Sequence, residues 1–176
     1  MDFINPEKIL KELDLKPDMS AADFGCGSGG FTIPLAKILY EGLVYALDVQ
    51  EGPLNALKGR ANAEGVKNIK FIRVDLEKEN GSKLSSSSIN LVIVANVLFQ
   101  AEDKKAMISE AKRVLSSSGK LVIIDWAKGS GFEGIAEGRV DKEEIKKMAL
   151  DIGLSFEKEI EAGKYHFCLI FENKKS

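Results

Sequence analysis

The chain has too little of several things to belong to several classes of protein. Two cysteines, Cys26 and Cys168, among 176 residues are too few for a disulfide scaffold. They also lack metal-ligand spacing, so no metal site is expected. A single histidine, His166, leaves one candidate for imidazole chemistry. No apolar run approaches the roughly 18–20 residues of a membrane span. The opening "MDFINPEKIL" carries charges of both signs and no apolar stretch of the signal-peptide kind, so a cytoplasmic location is expected. There is no charge excess either. Lys and Arg total 25 against 27 Asp and Glu, a net charge of −2, which gives no electrostatic reason to expect nucleic acid as a partner. The densest basic cluster, Lys142, Lys146 and Lys147, is interleaved with Glu143 and Glu144 and reads as a solvated helix face. No internal repeat or linker marks a boundary, so residues 1–176 read as one domain. A composition of 44% hydrophobic and 30% charged residues suits a globular core.

What is present is an alternation of apolar runs and helical patterns. "MSAADFGC" reads as a buried strand, then a glycine loop, then a helix through "FTIPLAKILY". Pro34 falls near that helix's first turn, where a missing amide costs least. "GLVYALDV" is a second strand, and "GPLNALKGRANAEG" a helix with Leu54, Leu57 and Ala61 on one face. "NIKFIRVDL" and the almost wholly apolar "SINLVIVANVLF" are the third and fourth strands. The helix "DKKAMISEAKRVL" and a fifth strand "GKLVIIDW" follow. A helix after Asp141, its expected N-cap with Glu144 in capping-box position, carries Ile145, Met148, Ala149 and Ile152 at i, i+3, i+4 and i+7. "LSFEKEIE" and "KYHFCLIFEN" close the chain as an antiparallel hairpin. The serine runs 85–88 and 116–118 read as loop before strands four and five. Strand–helix alternation of this kind specifies an α/β fold with a parallel, doubly wound sheet.

The stretch "AADFGCGSGGF" holds two fingerprints at once. Gly25-x-Gly27-x-x-Gly30 is a dinucleotide-binding spacing, while Asp23-x-Gly25-x-Gly27-x-Gly29 is the spacing used for S-adenosylmethionine. Either ligand exploits backbone approach at a helix N-terminus, and either uses an acidic residue such as Asp48 on its ribose. Three features separate them. Asp23, two residues before the first glycine, would repel a pyrophosphate but tolerates a sulfonium ligand with a free amino group. Asp75, at the end of "FIRVD", is placed to accept from an adenine amino group. The terminal hairpin exceeds what a nucleotide-binding half-sheet needs.

On these residues the chain resembles a class I S-adenosylmethionine-dependent methyltransferase of the small ubiquinone/menaquinone-type group, over residues 18 to 172. "DFGCGSGGF", "YALDVQ", "FIRVDLE", "INLVIVANVLFQAED" and "AKRVLSSSGKLVIIDW" match its motifs in order. The resemblance implies a Rossmann-like seven-stranded sheet of order 3-2-1-4-5-7-6, strand seven antiparallel, with helices on both faces. It implies S-adenosylmethionine as cofactor and S-adenosylhomocysteine as product. Gly25 and Gly27 would line the methionine moiety, with Cys26 between them a small apolar filler, and Asp23 would help hold the amino group or else cap loop amides. Asp48 would grip the ribose, Val49 pack on adenine, and Asp75 with Leu76 frame the adenine edge. Asn96 would offer its backbone carbonyl to the amino group. Gly29 and Gly30 serve either the ligand or helix–sheet packing. The chain departs from the family at "SSSG", where Pro-Gly-Gly is usual, and at Phe99-Gln100, where histidines are common.

Methyl transfer from a sulfonium needs positioning and a deprotonated acceptor, so few catalytic residues are required. Several acceptor classes lack their residues. Amino-methylation of nucleic-acid bases uses Asn/Asp-Pro-Pro-aromatic where this chain has "ANVLFQ". Pyrimidine-carbon methylation needs a well-placed nucleophilic cysteine, and metal-assisted catechol methylation needs acidic ligands that Asn96 and Asp125-Trp126 do not supply. The topology brings Tyr165 and His166 near Asp125 and Trp126, which makes His166 a candidate general base oriented by Asp125, or else a packed structural histidine. Arg139 is a candidate contact for an anionic acceptor, and the glycine-rich residues 127–140 a candidate lid. The acceptor stays open between a small molecule and a protein side chain, as does the oligomeric state. A non-catalytic cofactor-binding subunit and a nicotinamide oxidoreductase are the alternative readings.

Overall fold

The computed structural model describes residues 4–128 and 140–174. Among them are seven strands: β1 (Ser20–Phe24), β2 (Leu43–Asp48), β3 (Ile69–Arg73), β4 (Ile89–Ala95), β5 (Leu115–Trp126), β6 (Ser155–Glu161) and β7 (His166–Glu172). They form one sheet in the order β3-β2-β1-β4-β5-β7-β6. β1 pairs in parallel with both β2 and β4, while β7 runs antiparallel between β5 and β6. The order expected from the resemblance is the order found.

Among the described residues five α-helices cover the two faces: α1 (Pro6–Lys11), α2 (Thr32–Ile38), α3 (Glu51–Ala63), α4 (Lys104–Val114) and α5 (Lys142–Asp151). Strand residues on one face, among them Ala21, Ile93, Val122, Ile124 and Cys168, pack with α1, α2 and α3. The alternate residues, among them Phe24, Val94, Ile123, Phe167 and Phe171, pack with α4 and α5. The central strands are buried on both sides and therefore carry no polar alternation. Pro34 is the third residue of α2, where no intrahelical donor is lost. Asp141 caps α5 by accepting from the Glu143 amide at 2.9 Å.

Two details differ from the sequence reading. Residues 116–118 belong to β5 rather than to a loop, because Leu115 pairs with Ile89 and the Ser118 amide donates to the Asn173 carbonyl at 2.8 Å. Pro6–Lys11 is a helix the pattern reading passed over; Asn5 caps it by accepting from the Lys8 amide at 3.1 Å, and Pro6 opens it.

The loop after β3 is tied down from α4. Glu110, 5% exposed, accepts from the Ser82 amide at 2.9 Å, the Ser82 hydroxyl at 2.5 Å and the Arg113 guanidinium at 2.7 Å. Burial opposes its ionisation, but the bonds from Arg113 and Ser82 outweigh it and hold the carboxyl below its usual range. Glu110→Gln removes a charge-assisted cluster and leaves Arg113 partly buried without its partner. It is expected to cost about 2 kcal/mol, read as a lower urea midpoint at unchanged slope; a shift under a quarter of that shows the cluster to be dispensable.

Candidate active site

The strand order reverses between β1 and β4, and open α/β sheets bind ligands in the crevice beyond the carboxyl ends of their strands at such a point. A cleft of about 800 Å³ lies there. Its walls come from Ile4 and Pro6, the loop after β1, the end of β2 and Pro53 of α3, the turn after β3, Ala95 at the end of β4 with Asn96, Val97, Gln100, Ala101 and Glu102 beyond it, and Met107 of α4. Asp23, Gly25, Cys26, Gly27, Asp48, Val49, Asp75, Leu76 and Asn96 all line it.

The loop after β1 follows from its glycines. Gly25 has φ +73° and Gly27 φ +51°, a left-handed backbone that side chains disfavour. A Cβ on Gly25 would lie 2.4 Å from Val97 Cγ2, so the loop abuts the chain beyond β4. Gly29 serves packing: a Cβ there would lie 2.1 Å from Leu57 Cδ1 on α3.

Asp48 organises this loop from the end of β2. Its Oδ2 accepts from the Gly27 amide at 3.0 Å and its Oδ1 from the Gln50 amide at 2.9 Å. Asp23 is 2% exposed and accepts from the Thr32 hydroxyl at 2.6 Å. Burial, helped by the charge of Asp48 and opposed by Thr32, raises its pKa to about 6. Thr32 was missed in the sequence reading, although a hydroxyl residue opening the helix after the loop was its signal. Asp75 lies two residues past β3 and accepts from the Glu77 amide at 3.1 Å. Val49 is 56% exposed, an apolar side chain partly open at the cleft. Asn96 adopts φ +56°, which asparagine tolerates, and its buried Oδ1 has no partner among the described residues.

Among the described residues the lining carries five carboxylates, Asp23, Asp48, Asp75, Glu77 and Glu102, and no lysine or arginine. Such a surface suits a ligand with cationic groups and a ribose diol, and opposes a pyrophosphate. The donor set therefore fits S-adenosylmethionine better than a dinucleotide.

The catalytic pair expected from topology does not form. In β7, His166 pairs with Trp126 of β5 and Phe167 pairs with Asp125. Successive strand residues face opposite sides of a sheet, so His166 and Asp125 lie on opposite faces. His166 packs on Trp126 with ring centroids 4.1 Å apart and planes tilted by 40°, both its ring nitrogens lack hydrogen-bond partners among the described residues, and burial lowers its pKa to about 4. Asp125 instead accepts from the backbone amides of Phe99 at 3.2 Å and Trp126 at 2.8 Å. Neither residue lines the cleft. Tyr165 does adjoin the end of β5, its carbonyl accepting from the Ala127 amide at 2.8 Å. Arg139 and most of segment 127–140 lie outside the described residues.

The cysteines are equally removed from nucleophilic duty. Cys26 lines the cleft but is buried, and burial followed by the charges of Asp23 and Asp48 pushes its thiol far up. Cys168 sits within β7, its thiol pushed up to about 12 by burial. Among the described residues no group of three or more His, Cys, Asp or Glu side chains is arranged to hold a metal, and no helix is long and apolar enough to cross a membrane.

A family model described as a methyltransferase domain matches residues 15–165. A solved SAM-dependent methyltransferase from Aquifex aeolicus is 29% identical, with a TM-score of 0.87 over 97% of this chain and 90% of that one. The demethylmenaquinone methyltransferase of Bacillus mycoides is 27% identical over 123 residues, which are 68% of this chain and 49% of that protein. The 23S rRNA (uracil(1939)-C(5))-methyltransferase of Marinomonas posidonica is 29% identical over 96 residues, 53% of this chain and 22% of that enzyme. The chain thus spans about a fifth to a half of the length of these two curated relatives. With the family model over most of its length and the fold of S-adenosylmethionine-dependent enzymes, the chain belongs to the methyltransferase-domain family.

Proposed function

We propose that this chain transfers a methyl group from S-adenosylmethionine to an acceptor that is a small molecule or a protein side chain, by in-line displacement. The observation that carries the reading is the acidic cleft at the switch point, whose described lining holds five carboxylates and no lysine or arginine. The bound cofactor would supply a methyl group already activated on a sulfonium: the acceptor's lone pair forms the new bond to carbon, the C–S pair returns to sulfur so that the thioether leaves without an acid, and the acceptor's proton passes to solvent. The protein's task is then to hold and orient. Asp48 grips the ribose with the lone pairs left over from Gly27 and Gln50. Val49 packs against adenine, and Asp75 with Leu76 frames its edge. Asp23 and Asn96 hold the amino group, Asn96 with its backbone carbonyl and its unspent Oδ1. Gly25 and Gly27 admit the ligand to the backbone, and Cys26 fills the wall between them.

Among the described residues the lining offers no cation for the phosphates of a nucleic acid, which argues against nucleic acid as the acceptor. The rRNA relative's substrate does not transfer to this chain on chemical grounds either, because neither cysteine is an activated thiolate. Calorimetry decides the ligand class: S-adenosylhomocysteine binds with measurable heat and NADH gives none, whereas NADH binding alone overturns the reading. Incubation with methyl-labelled cofactor and a cell lysate, followed by acid precipitation, then separates the acceptors. Protease-sensitive label in the precipitate marks a protein, and soluble label marks a small molecule. Nuclease-sensitive label contradicts the charge argument.

A further inference from the structure

The buried carboxylate of Asp125 is unused by the chemistry above, yet it faces a wall of the cleft from behind. It is wholly buried beside Ile123, Phe167 and Leu98 in an apolar layer. Its hydrogen bonds come from backbone amides: Phe99 to Oδ2 at 3.2 Å and Trp126 to Oδ1 at 2.8 Å, with the amides of Leu98 and Val97 also favouring its ionised form. Residues Leu98–Gln100 form a short 3-10 turn whose N-cap position, Val97, provides no side-chain cap. The first amides of such a turn have no partner within it and must find one elsewhere. Asp125 is that partner, reaching across from the neighbouring strand.

The turn it holds belongs to the cleft. Asn96, Val97, Gln100 and Ala101 all line it, and Val97 is the residue that abuts Gly25 of the glycine loop. The Asn96 amide is fixed separately, donating to the Ile124 carbonyl at 2.8 Å. Residues 96–101 are thus fastened to β5 at two points, one by backbone and one by Asp125. An apolar side chain at 125 would leave the Phe99 amide without this acceptor and the turn without its tie to β5. A carboxylate there makes sense as the acceptor that sets the turn's position.

We propose that Asp125 is a positioning residue for the cofactor, fixing residues 96–101 against the glycine loop without itself touching the cleft. This rests on the reading of the cleft as an S-adenosylmethionine site. Asp125→Asn replaces one acceptor oxygen by an amide that confronts backbone N–H groups.

The test compares wild type, Asp125→Asn and Ile145→Ala by calorimetry with S-adenosylhomocysteine at pH 8, alongside melting temperature and amide hydrogen exchange. Ile145 is buried on the same face but does not line the cleft. Asp125→Asn is expected to weaken binding about tenfold and to speed exchange at 97–99 while leaving β1 and β2 protected. Ile145→Ala is expected to lower the melting temperature and leave affinity unchanged. Asp125→Ser repeats the comparison if the asparagine variant does not fold. Wild-type affinity in the variant, or an affinity loss in Ile145→Ala of the same size, overturns the proposal. A wild type that binds no S-adenosylhomocysteine overturns the cofactor reading instead, and the exchange rates at 97–99 still decide whether Asp125 holds the turn.

Discussion

Asp48→Asn is expected to weaken S-adenosylhomocysteine binding about 100-fold, the largest single effect in this site. Each carboxylate oxygen of Asp48 already accepts one backbone amide, Gly27 at 3.0 Å and Gln50 at 2.9 Å. Each keeps a second lone pair, which on the proposed reading is what the ribose hydroxyls meet. Asparagine presents one NH₂ where an acceptor stood. Whichever way the amide turns, it faces either the Gly27 or the Gln50 N–H as donor against donor. The variant therefore loses one ribose bond and strains the loop that admits the methionine moiety. Hydrogen bonds to a charged group contribute about 1.5–3 kcal/mol each, and about 2.7 kcal/mol is a factor of 100. Calorimetry at pH 8 gives the affinity, and melting temperature separates misfolding from lost contacts. A variant that binds within threefold of wild type, at unchanged stability, removes Asp48 from the cofactor site.

Most of the architecture was legible because the central strands are buried on both faces. That requirement writes "VIVA" and "LVII" into the sequence as runs that tolerate no polar alternation. The glycine loop was legible for a local reason: a left-handed backbone at Gly25 and Gly27 and close approach to Val97 leave few other residues possible. The hairpin was legible as a hairpin, but its register was not. Whether His166 shares a face with Asp125 or with Trp126 depends on which residue pairs with which, a one-residue matter that no local pattern specifies. Reasoning from proximity alone joined two residues that the pleat separates. The strand character of 116–118 was hidden for the opposite reason. Serine has no strong preference there, and pairing with Asn173 and Ile89 overrides it. The helix Pro6–Lys11 did carry its signal, an Asn cap before a proline, but at six residues it is too short for a hydrophobic period to show.

Cofactor affinity is expected to fall on acidification below pH 6, by up to tenfold per unit, through Asp23. In the free protein this carboxyl is 2% exposed, and burial, then the nearby charge of Asp48, raises its pKa from the ordinary 3.8 to about 6. The sign for folding follows directly. Between about pH 4 and 6 the folded chain binds a proton that the unfolded chain has lost. This group's stabilisation is therefore greatest below 4 and is lost as pH rises through 6, about 3 kcal/mol for a shift of this size. Binding runs the other way. An ammonium group beside Asp23 favours the ionised form, so the ligand must displace the proton below pH 6, and affinity weakens as that proton becomes harder to remove. Calorimetry between pH 7.5 and 5, in buffers of different ionisation heat, reads both the slope and the proton released. Asp23→Asn should bind weakly at pH 7.5 and lack its share of the slope and of the released proton. Asp125 is also raised to about 6, so Asp125→Asn is the control that must retain the Asp23 contribution. A wild-type affinity flat across this range, or an unchanged slope in Asp23→Asn, separates Asp23 from the amino group. The low polarity that makes an ionised Asp23 costly in the free protein also strengthens its attraction for a cation. Folding cost and cofactor affinity at this residue then have one physical origin, and acid should shift them in opposite directions.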